Sequence, residues 1–147
     1  EGRLLQDIID HDGIEKFLQI EEQVLLSVDV EHAVIATGGS VVYSQTGMEA
    51  LKRNGAVVYL SATYEEVEKR VTNITTRGIA MAPGETLAHI YDYRSPLYRK
   101  YADLTVEVGR QTLEETVAQV LKAAAPEKNL PSWALSQKSK APAAETA

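Results

Sequence analysis

Cysteine is absent from the 147 residues, which excludes disulfide frameworks and thiolate metal sites and is compatible with a cytoplasmic setting. No run approaches the roughly 18 apolar residues needed to cross a bilayer, and no signal-peptide pattern opens the chain. A membrane partner is therefore not expected. Basic residues are also in deficit: 15 Lys and Arg against 21 Asp and Glu give a net charge of −6. That balance argues against a general nucleic-acid surface, although a few arginines can still gather around one anion. His11, His32 and His89 show no metal-ligand spacing, so no metal site is expected within the chain. An initiator Met is missing as well. The chain opens in mid-pattern on Glu1-Gly2-Arg3, and we expect it to be a fragment of a longer polypeptide.

What is present reads as one domain over residues 1–125 followed by a polar tail. Leu4, Leu5, Ile8 and Ile9 give a short helix or turn within Gly2 to His11. The spacing of Phe17, Ile20, Val24 and Leu25 predicts an amphipathic helix over Glu15 to Val28. His32 to Thr37 reads as a first strand, Thr46 to Asn54 as a helix stopped by Gly55, and Ala56 to Leu60 as a second strand. Ser61 or Thr63 is placed to cap a helix over Tyr64 to Asn73. Residues 74–84 carry Gly78, Pro83 and Gly84 without periodicity and read as a mobile lid. Glu85 to Tyr101 is expected to be helical, interrupted or kinked near Ser95-Pro96. Its Tyr91, Tyr93, Tyr98 and Tyr101 should pack that helix onto the sheet. Leu104 to Val108 alternates as a third strand, entered through Asp103. A closing helix over Thr112 to Ala125 should bury Leu113, Val117, Val120 and Leu121. Residues 126–147, rich in Ala, Lys, Ser and Pro, read as a disordered tail in which Trp133 is the one candidate for docking. Helices alternating with apolar strands predict an α/β fold, a three-layer parallel sheet with helices on both faces.

Two segments carry chemistry. Val34-Ile35-Ala36-Thr37-Gly38-Gly39-Ser40-Val41-Val42 is an apolar run broken by two glycines, where backbone N–H groups can approach a ligand closely. Arg94-Ser95-Pro96-Leu97-Tyr98 supplies a cation whose local backbone is fixed by proline. Each has a plainer explanation. Gly38-Gly39 could be only a tight turn, and Arg94 could form a surface ion pair with Asp92 or Glu85. Arg70, at a helix end, would favour the negative pole without any ligand. Arg77, in a loop, has no helical partner and tilts toward ligand duty.

Gly13-Ile14-Glu15-Lys16-Phe17 followed by Glu21, Ala36-Thr37-Gly38-Gly39, and Val57-Val58-Tyr59-Leu60 come in a characteristic order. Arg70, Arg77, Arg94-Ser95-Pro96-Leu97-Tyr98 and Ala102-Asp103 then complete it. Through this order the chain resembles the shikimate kinase family from Gly2 to about Ala125, and so the P-loop kinases. The resemblance implies transfer of the ATP γ-phosphate to a hydroxyl of a small acid, with ATP and Mg²⁺ as nucleotide and cofactor. It assigns Gly38, Gly39 and Ser40 to the acceptor turn and Arg94 to the acceptor carboxylate, where a planar fork gives bidentate pairing. It assigns Arg77 to the transferring phosphate under the lid and Arg70 to the adenine. Partners would be the acceptor and ATP, with a monomer favoured.

The chain departs from that family in several places. It contains no Gly-x-x-x-x-Gly-Lys-Ser/Thr loop to cradle phosphates, so we expect it to lack the first strand with its P-loop, and to be inactive alone. Leu18 stands where the family usually has a second arginine, and Ser40 where it has a third glycine. Gly78 follows Arg77 in place of proline. These changes lie on the acceptor side or in the lid. They leave open another hydroxy acid, an amino acid such as homoserine, a non-catalytic binding module derived from a kinase, or a structural domain with no ligand.

Overall fold

A computed structural model describes residues 2–71, 79–81 and 84–124. Arg77, most of the 74–84 segment and the 126–147 tail lie outside the described residues. The chain runs through helices α1 (Leu5–Asp12) and α2 (Ile14–Ser27), a 3₁₀ turn (Gly39–Tyr43) and helix α3 (Gln45–Arg53). Strand β1 (Val58–Ser61), helices α4 (Tyr64–Arg70) and α5 (Leu87–Tyr101), strand β2 (Leu104–Glu107) and helix α6 (Leu113–Ala124) follow.

Local chemistry explains most boundaries. Gly13, at φ 85°, turns the chain between α1 and α2, a conformation that a side chain would strain. Ser44 caps α3 by accepting from the Gly47 N–H. Thr63, not Ser61, starts α4, in a capping box with Glu66. Strands β1 and β2 pair in parallel with Val58 opposite Leu104 and Ser61 opposite Glu107, the long crossover running through α4 and α5. Asp103 locks the start of this pair. Its Oδ2 accepts from the Val57 N–H at 2.8 Å and its Oδ1 from Lys52 Nζ at 2.7 Å. Leu104, Val106 and Val108 point inward, as their alternation requires.

Two apolar clusters hold the helices. Leu25, Val41, Val42 and Met48 pack α2 against the 3₁₀ turn and α3. Ile8, Phe17 and Ala80 join α1, α2 and the segment before α5.

The structure corrects four expectations. Residues 33–38 form no strand, and Val34 is 99% exposed; an apolar run becomes a strand only beside a ladder partner, and none lies along it among the described residues. The α6 stripe is not buried: Leu113 is 74% and Leu121 66% exposed, and Val117 is exposed too, because none of the described elements covers that face. Val24 on α2 is likewise exposed. Helix α5 continues through Pro96 without interruption. The missing proline N–H would have served the Asp92 carbonyl, Asp92 is exposed to water, and Ser95 Oγ donates to the neighbouring Tyr91 carbonyl at 2.6 Å.

Of the tyrosines assigned to α5 packing, Tyr98 stacks on Tyr59 of β1 at 5.2 Å, Tyr91 meets Tyr64 edge-on at 5.7 Å, and Tyr101 joins the Leu25 cluster. Tyr93 is 60% exposed and lies near the rings of Tyr43 and His89, with centroids 6.0 and 6.5 Å away. Among the described residues no helix is long and apolar enough to cross a membrane.

Candidate functional site

Arg94 and Tyr98 lie one turn apart on α5, so both side chains reach from the same face toward the chain that follows α2. The glycine corner meets them there. Tyr98 Oη donates to the Gly39 carbonyl at 2.8 Å. A Cβ on Gly39 would stand 2.8 Å from Tyr98 Oη and 3.3 Å from Arg94 Nη1. Gly39 has no positive φ; its missing side chain is explained by close approach alone. The two glycines thus form more than a tight turn. Gly39 lets the backbone come close to a guanidinium, and Gly38 lets it come close to the Glu21 carboxylate.

Arg94 is 6% exposed, which for a cation demands partners. Its Nε donates to Tyr43 Oη at 2.8 Å, its Nη2 donates to the Ala80 carbonyl, and its Cζ lies 5.0 Å from the centre of the Tyr43 ring. It makes no ion pair with Asp92 or Glu85, and Glu85 approaches His89 at 3.3 Å instead. Arg94 is also among the residues lining a cleft of about 260 Å³ bordered by Tyr59, Leu60, Ile79, Ile90 and Tyr91. Burial raises the Tyr98 phenol above its ordinary value, and the Arg94 charge opposes that shift.

Ser40, the third residue of the turn, is buried, and its hydroxyl donates to Glu21 Oε1 at 2.8 Å. Burial raises the Glu21 carboxyl above its ordinary value, with the Ser40 bond and the Arg94 charge pulling it down. Leu18 packs with the Ile8, Phe17 and Ala80 cluster, so this side chain serves the core. Arg70 stands apart: it is exposed at the end of α4 and donates to the Gly109 carbonyl. Among the predicted residues, then, Gly38, Gly39, Ser40 and Arg94 come together, Arg70 does not join them, and Arg77 lies outside the described residues.

Tyr43, the Ala80 carbonyl and the hydroxyl of Tyr98 join the site without being expected from the sequence, where Glu21 carries no assigned role. The four-residue spacing of Arg94 and Tyr98 was the available signal for Tyr98. Nothing local announces Ala80, whose backbone carbonyl is the contact.

The family model described as shikimate kinase matches residues 1–125. The shikimate kinase of Caldanaerobacter subterraneus subsp. tengcongensis is 28% identical over 125 residues, covering 83% of this chain and 72% of that protein. That of Thiobacillus denitrificans is 34% identical over 109 residues, with 72% and 60% covered. That of Burkholderia lata is 33% identical over 123 residues, with 82% and 67% covered. The chain therefore spans between 60% and 72% of the length of these relatives. A parallel strand pair, a glycine corner set against a buried arginine and a match running from residue 1 to 125 agree with one another: the chain belongs to the shikimate kinase family.

Proposed function

We propose that the protein contributes the acceptor side of a phosphotransferase that moves the γ-phosphate of ATP to a hydroxyl of shikimate. The observation supporting this is the approach of the Gly39 backbone to the Arg94 guanidinium, 3.3 Å from where a Cβ would be. A buried arginine held by Tyr43 and a backbone carbonyl is pre-oriented, so little side-chain freedom is lost when it engages a carboxylate. In this reading Arg94 pairs with the acceptor carboxylate, while Gly38, Gly39 and Ser40 shape its seat. In the same reading Arg77 serves the transferring phosphate and Arg70 the adenine.

The described residues do not fit Mg²⁺. No group of three or more His, Cys, Asp or Glu among them is placed to hold a metal ion, and the chain has no phosphate loop. This chain's own contribution is to bind and orient the acceptor. The family fold supports a three-layer sheet over 1–125 with a lid near 74–84. A cytoplasmic monomer remains our reading of the whole protein.

A coupled ATPase assay of the full-length protein tests the function. Shikimate should elicit turnover, and Arg94→Ala should raise the shikimate KM at least tenfold, an order expected when a charged pair loses one member. Turnover on homoserine in place of shikimate would move the acceptor to an amino acid. No turnover with any hydroxy acid would leave a non-catalytic binding module.

A further inference from the structure

Beside the glycine corner stands a carboxylate that the mechanism above does not use. Glu21, on α2, is partly buried, and its Oε1 accepts from Ser40 Oγ at 2.8 Å. The same oxygen lies 3.2 Å from where a Cβ on Gly38 would stand. Since Ser40 is itself buried, this bond fixes a position of the main chain, not a surface rotamer. The second oxygen, Oε2, has no hydrogen-bond partner among the described residues. No buried side-chain oxygen lacks a partner among the described residues, so Oε2 is reached by solvent and is open to a donor from a guest or from water. Glu21 and Arg94 also act on each other electrostatically, which places both in one local field.

We propose that Ser40 and Glu21 form a specificity pair: Ser40 holds one carboxylate oxygen, and the other accepts an O–H or N–H from an anionic acceptor seated on Arg94. The inference rests on the corner being the acceptor site. An acid with no donor beside its carboxylate would meet a second negative group there and be repelled. A hydroxy or amino acid turns that same group into a partner.

The test is calorimetric binding to the full-length protein of shikimate, of homoserine, and of cyclohex-1-ene-1-carboxylate, which keeps the shikimate ring but has no hydroxyl. Wild-type protein should prefer a donor-bearing acid. Glu21→Gln should shrink that preference roughly tenfold, chiefly by tightening the hydroxyl-free acid. Ser40→Gly should shrink it by a smaller factor, because Glu21 is then less firmly aimed. Preference for shikimate identifies the donor as a hydroxyl; preference for homoserine identifies it as an ammonium. An unchanged preference in both variants, each with normal circular dichroism, overturns the pair while leaving the acceptor site standing. Equal weakening of all acids by Glu21→Gln marks a purely structural carboxylate and overturns it too. Wild-type protein that binds none of the three acids overturns the acceptor site itself.

Discussion

Adding one methyl group at Gly39 is the sharpest test of the corner. Because the backbone φ there is not in the left-handed region, Gly39→Ala strains no dihedral, and its whole cost comes from space. The new Cβ would lie 2.8 Å from Tyr98 Oη and 3.3 Å from Arg94 Nη1. Both neighbours are side-chain ends, yet both are pinned: Tyr98 by its stack on Tyr59 and its bond to the Gly39 carbonyl, Arg94 by Tyr43 and Ala80. Tyr98 must retreat and lose its hydrogen bond, worth about 1 kcal/mol, on top of an overpacking cost of about 1–3 kcal/mol. We expect a stability loss of about 2 kcal/mol by urea denaturation. The shikimate KM should rise by about one to two orders of magnitude, since guest and guanidinium are misaligned. Gly38→Ala, whose methyl would meet Glu21 Oε1 at 3.2 Å and Ser40 Oγ at an ordinary 3.8 Å, should do less. The decisive control is Tyr98→Phe, which removes the blocking oxygen. In that background Gly39→Ala should cost clearly less, giving a coupling energy of about 1 kcal/mol in a double-mutant cycle. Additive effects would refute the claim that these groups meet.

Asp103→Ala should destabilise the protein by about 2–3 kcal/mol because both Lys52 and the Val57 N–H lose a charged partner, and Asp103→Asn should cost less because an acceptor remains; equal chemical-denaturation midpoints for the two would contradict this. Gly47→Ala places a methyl 2.6 Å from Leu25 Cδ1 where α2 crosses α3, so a net loss of about 1–2 kcal/mol should outweigh the helix-propensity gain, and a raised Tm would refute it. For Glu21 the folded state holds its proton more tightly than the ordinary value of 4.5 allows. Between that value and the raised one the native state binds more protons than the unfolded chain, so this group's contribution to stability grows as pH falls through the window. Glu21→Gln should flatten that slope in pH-dependent melts, and an unaltered slope would count against it.

How far the chain could be read from its residues differs by element. The face of α5 was legible because spacing in a helix converts directly into geometry, so Arg94 and Tyr98 had to share a side whatever they touched. Gly38-Gly39 was legible as a close approach but not as an approach to Tyr98, which lies 59 residues away. The apolar stripe of α6 and the run at Val34-Ile35 were misjudged for one physical reason. Periodicity says which side of an element is apolar, and burial depends on what is laid against it. Pro96 misled in the opposite sense, since losing one N–H is tolerable when water and a serine hydroxyl serve the neighbouring carbonyls. Glu21 carried no visible role because its partner, Ser40, is chosen by folding and not by spacing.

The bond from Arg94 to the Ala80 carbonyl has a mechanical corollary. One N–H of the fork is already committed to main chain, so a guest acid must use the remaining N–H groups or displace that oxygen. Ala80 is meanwhile wedged against Ile8 and Phe17. Where the guest does displace that oxygen, filling the cleft and unseating residues 79–81 are linked: a mutation that loosens the wedge should then tighten the grip on the guest, and the guest should in turn loosen the wedge.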